Sequence, residues 1–78
     1  MNAQPQIEMV RRAGGIDVSV SRFPAGAAVW WRDPVTNTTL MMYACKITSV
    51  DDVRRHMDES RAKFRNLGGS TNGNARTI

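Results

Sequence analysis

Near Thr48 the residue pattern of this chain changes abruptly, and that change limits what it can fold into. Before it run short, alternating stretches rich in β-branched residues. After it runs one highly charged amphipathic segment, Val50 to Leu67, closed by Gly68-Gly69. Period-two alternation followed by a helical stripe describes strands followed by a helix, the pattern of a small α+β domain. The expected architecture is a three- or four-stranded antiparallel sheet with one C-terminal α-helix packed on one face.

The 78 residues leave room for one domain. Residues 5–68 are the expected compact unit, and the glycine- and asparagine-rich stretch 69–78 is expected to be a flexible tail. A chain this short buries only about 60% of its unfolded surface and calls for added support. One cysteine and one histidine exclude an internal disulfide and argue against an all-protein zinc site. A homodimer is the expected support. No apolar run in residues 1–12 resembles a signal peptide, and no stretch approaches the roughly 20 apolar residues that span a bilayer. With a lone cysteine, this points to a reducing cytoplasm and no membrane partner.

The net charge is +4, and nine of the eleven basic residues are arginine. The segment from Val50 to Leu67 carries five basic and four acidic residues, so most of the excess lies toward the strands. Such a balance tolerates polyanions without establishing nucleic-acid binding.

Gly14-Gly15 separates residues 7–13 from 16–22. Two glycines supply positive φ at both centres of a hairpin turn. That turn sets Arg12 opposite Asp17 and Met9 opposite Val20, with Ile16, Val18 and Val20 on one face. The competing reading is a short helix from Pro5 to Ala13 with Gly14 just past its end. The hairpin is favoured because its pairing is consistent over several positions. Phe23-Pro24-Ala25-Gly26 then redirects the chain. Ala27 to Arg32 reads as a third strand and Thr38 to Ile47 as a fourth, joined by the turn Asp33-Pro34-Val35-Thr36-Asn37. The fourth strand is apolar on both faces, which places it at the centre of its sheet or against a partner. Thr48 or Ser49 caps the final helix, and Val50, Val53, Met57, Phe64 and Leu67 form its apolar stripe.

No catalytic constellation stands out. A Cys45–His56 nucleophilic pair requires tertiary packing to join strand and helix; a partly buried structural cysteine and a surface histidine are the plainer expectation. Asp51-Asp52 and Asp58-Glu59 read as dipole and salt-bridge partners, not metal ligands. Neither glycine pair has the lysine and hydroxyl of a phosphate-binding loop. No enzyme activity, cofactor or metal is expected. Arginines and aromatics interleave at Arg22-Phe23 and Trp30-Trp31-Arg32, with Tyr43 nearby. On a sheet face they stack unpaired bases or anchor a protein partner. Trp30 and Trp31 point to opposite faces of a strand, so one fills the core and at most one is left as an exposed platform; the plainer reading is that both anchor a small core.

In size, single-domain build, mixed charge and lack of catalytic residues, the whole chain resembles small accessory proteins of phages and mobile elements, among them anti-CRISPR proteins and other host-machinery inhibitors. The likeness is one of general character, carries no motif, and transfers no residues. It implies steric occlusion of a host complex. The expected function is therefore a non-enzymatic protein-binding module with Trp30 or Trp31 as anchor and Arg32, Arg54, Arg61 and Arg65 as polar rim. The alternative is a small basic nucleic-acid-binding protein that uses an arginine and aromatic sheet face.

Overall fold

A computed structural model describes residues 2–67; the expected tail at 69–78 and the glycine stop at Gly68-Gly69 lie outside the described residues. The order is α1 (Gln4–Arg12), β1 (Ile16–Phe23), β2 (Gly26–Asp33), β3 (Thr38–Tyr43), a 3-10 turn (Ala44–Lys46) and α2 (Val50–Leu67). The three strands form one antiparallel sheet in the order β1-β2-β3. Both helices lie on one side of it, around a core of Val10, Ala27, Val29, Trp31, Ala44, Ile47, Val53 and Met57.

The expected strand at 7–13 is corrected to a helix. Ala3 and Val10 are buried and Gln6 and Ala13 are half-buried, a spacing of three to four residues that suits α1. Asn2 Oδ1 accepts the Gln4 N–H at 2.9 Å, and Pro5 occupies the first turn. The glycine pair ends this helix instead of turning a hairpin. Gly14 takes φ 104°, and the N–H groups of Gly14 and Gly15 reach back to the carbonyls of Arg11 and Val10. Gly15 also has a packing role: a Cβ there would lie 2.6 Å from both Trp31 Cδ1 and Val10 Cγ1.

β1 therefore pairs with β2, through a tight turn at Pro24-Ala25 closed by Phe23 opposite Gly26. The turn from Asp33 to Asn37 forms as its residues dictate. Asp33 Oδ1 accepts the Val35 N–H at 2.9 Å, and Asn37 adopts the left-handed region at φ 60°.

The expected fourth strand is shorter than its sequence implies and lies at the sheet edge, not its centre. It stops at Tyr43 because Ala44 and Ile47 both need the core. A strand would send residues three apart to opposite faces. A 3-10 turn brings them to the same side, and the Ile47 N–H bonds the Ala44 carbonyl at 3.1 Å.

α2 starts with a reciprocal cap. Ser49 Oγ accepts the Asp52 N–H at 3.2 Å while the Asp52 carboxylate accepts the N–H groups of Thr48 and Ser49 and the Thr48 hydroxyl. These bonds, the Thr48 hydroxyl's first, hold the Asp52 carboxyl below its ordinary pKa. The helix runs from the 3-10 turn toward the β2–β3 turn, where Arg61 grips the buried Asp33 with Nε to Oδ2 at 2.7 Å and Nη2 to Oδ1 at 3.0 Å. Val53 and Met57 are buried as the stripe predicts, but Phe64 remains 46% exposed.

Candidate functional site

Ala27, Val29 and Trp31 of β2 belong to the core, so Ala28, Trp30 and Arg32 point to the opposite side of the sheet. Register extends that outer face sideways. Ser21 and Tyr43 flank Ala28, Ser19 and Met41 flank Trp30, and Phe23 closes the β1–β2 hairpin. Phe23 and Tyr43 meet edge-on with ring centroids 6.0 Å apart, a favourable aromatic geometry. Phe23 is 40%, Trp30 37% and Tyr43 51% exposed, while Met41 is half-buried. Ala28 is buried on this side although neither helix reaches it, so the face dips between its larger neighbours. The result is an apolar, aromatic surface on the side away from the core.

Trp31 is the interior member of the tryptophan pair, 1% exposed and edge-on to His56 at 5.9 Å. It is not available as an anchor; Trp30 is. Of the expected rim, only Arg32 shares the face with Trp30. Its Nε donates to Asp17 Oδ2 at 3.0 Å, Nη2 bonds the same oxygen, and Nη1 donates to Asn37 Oδ1 at 2.7 Å. Arg61 is committed to Asp33, whose carboxyl it holds below the ordinary value of 3.8. Arg54 is exposed and paired with Asp51 at 3.6 Å, and Arg65 is exposed near the end of α2. Both are carried by the helix layer behind the sheet, so the structure does not bring them together with Trp30. Phe23, Met41 and Tyr43 complete the face instead. The alternation in β3 pairs Met41 with Tyr43, but only the register with β2 sets them beside Trp30.

Cys45 is exposed, contrary to the expectation of a partly buried thiol, and lines a hollow of about 100 Å³ with Phe23, Ala27 and Tyr43. His56 is half-buried, not a surface residue, and lines a different cleft with Lys46 and Glu59. Among the described residues the two side chains line separate hollows. Among the described residues no cluster of histidine, cysteine and carboxylate side chains is arranged to hold a metal, and no helix is long and apolar enough to cross a membrane.

The chain matches no family model, no curated protein and no solved structure.

Proposed function

We propose that this chain is a non-enzymatic protein-binding module that occupies a partner's surface with the uncovered face of its sheet. The observation that carries the reading is the cluster Phe23, Trp30, Met41 and Tyr43 on the side opposite both helices. Aromatic and methionine side chains around a small central residue have the composition of an interface hot spot. The basic residue within this face favours a protein over a polyanion, because Arg32 is already bound to Asp17 and Asn37. Steric inhibition of a larger cytoplasmic assembly, in the manner of phage-encoded inhibitors, is one form such a module takes.

The test is affinity capture from nuclease-treated lysate with three baits in parallel: the native chain, Trp30→Ala and Arg54→Ala. A specific partner retained by Arg54→Ala and lost by Trp30→Ala is the expected result. Truncating a central aromatic anchor weakens binding by about 2 kcal/mol or more, roughly thirtyfold. Equal capture by all three baits overturns the assignment of the face.

A second reading draws on the same aromatic rings, which stack unpaired bases on sheet surfaces. Fluorescence anisotropy of labelled single-stranded DNA and RNA distinguishes it. Binding that falls steeply with salt marks phosphate contacts, whereas a protein anchored by Trp30 is far less sensitive.

A further inference from the structure

The two outer strands end the sheet differently. β1 carries Asp17 at φ 53°, a break in register between Ile16 and Ser19, and the charge of Arg22. Bulges and charges of this kind turn an edge away from incoming strands. β3 has neither. Thr38 to Tyr43 contains no charge, proline or glycine, and its register with β2 is unbroken from Thr38 to Tyr43. No strand lies beyond it among the described residues, so its outer side presents backbone donors and acceptors in a row.

A cleft of about 290 Å³ opens beside this edge, on the helix side of the sheet. Met42 and Lys46 form one wall, and Asp52, Arg55, His56 and Glu59, one face of α2, form the other. Asp52 is occupied by its cap and by Arg55 at 3.5 Å. Lys46 and Glu59 make no ion pair among the described residues.

We propose that β3 is a strand-addition site: an extended segment of a partner protein, apolar on one face and charged on the other, joins the sheet as its fourth strand. This rests on the protein-binding reading above and specifies the form of the partner. Backbone pairing holds the segment, and its alternating side chains meet two different surfaces. Those on the outer side lie beside Met41 and Tyr43 and widen the aromatic face. Those on the inner side enter the cleft, within reach of Lys46 and Glu59. Size supports the arrangement. Three strands of six to eight residues offer a small face, and a fourth strand extends it.

The cleft also decides against a second copy of this chain as the occupant. With both helix layers on one side, antiparallel pairing of β3 with itself would send Leu40 and Met42 of the copy toward Lys46, Arg55 and Glu59. Apolar side chains would desolvate those charges without offering a hydrogen bond. A strand with charged inner positions would satisfy them.

The experiment starts from a display library of nine-residue peptides with alternating apolar and charged positions, panned on the full chain. The best binder is remade in two forms, each N-methylated at one alternate set of backbone nitrogens, so that side chains stay the same. One form is expected to lose at least a hundredfold in affinity while the other binds as before. The β3 amide protons should exchange more slowly in the complex. Lys46→Glu should weaken a peptide with acidic inner residues about tenfold and favour its charge-reversed twin. Equal binding by both methylated forms, with chemical-shift changes confined to Phe23 and Trp30, overturns strand addition and leaves the protein-binding reading intact. An unenriched library overturns strand addition too, and the Trp30→Ala capture then judges the broader reading separately. A dimer of the free chain that the peptide displaces assigns the edge to a second copy and overturns the proposal as well.

Discussion

Asp33 fixes two parts of the molecule with one carboxylate. It accepts the Val35 N–H to shape the turn and takes both guanidinium bonds of Arg61 to hold α2, with no exposed surface of its own. Hydrogen bonding to Arg61 lowers its pKa more than burial raises it. A carboxyl depressed in the folded state stabilises fully above the unfolded value of 3.8 and loses that contribution as pH falls through the folded value. Arg61→Met removes the cation and leaves burial to raise the pKa. Its cost should be about 2–3 kcal/mol at neutral pH, reduced from a fully buried pair because Arg61 is partly exposed. Urea denaturation from pH 7 to pH 3 should show the gap between the two proteins closing as Asp33 takes up a proton. A gap constant with pH would mean the carboxylate is not its source. The tryptophans separate in the same assay. Trp31→Ala should cost about 3–5 kcal/mol, as expected for a buried aromatic, and Trp30→Ala less than about 1 kcal/mol. The i,i+1 alternation guarantees that one tryptophan is inside, but only the side on which the helices pack determines which.

At the scale of elements, the readable parts were those whose signals are local. The β2–β3 hairpin follows from Asp33-Pro34 and Asn37, and α2 follows from its cap and charge pattern. Residues 7–13 were ambiguous because Ile7 and Met9 also alternate, and two glycines serve a hairpin as readily as a helix end. Competition settled the matter. β1 finds a better partner in β2, and Val10 reaches the core only from a helix. The 3-10 turn was hidden for a related reason, since the demand that Ala44 and Ile47 face one way comes from the core they enter. Gly15 gives the end of α1 its sharpest test. Gly15→Ala places a methyl against Trp31 and Val10 and should cost about 1–3 kcal/mol by overpacking. Gly14 has open space around it, so any cost of Gly14→Ala there comes from its positive φ alone. Thermal melts of the two variants separate crowding from backbone strain.

As a whole, the molecule is a three-stranded sheet with one face covered by helices and the other turned to the surroundings. That layering divides the residues the sequence offered as one site. Trp30 and Arg32 stay on the open face, Trp31 enters the core, Arg61 becomes a clamp, and Arg54 and Arg65 go to the helix layer. Arginine and aromatic composition is legible in the sequence; the face each residue occupies is not, because it depends on pairings between segments far apart in sequence. The contrast between the two sheet edges has a further consequence, for handling. A strand such as β3, uncharged and free of proline, is a template for cross-β stacking when chains crowd together. Concentrated or heated stocks should therefore nucleate fibrils from β3 and not from the bulged β1, and an added-strand peptide should delay their onset in a thioflavin assay.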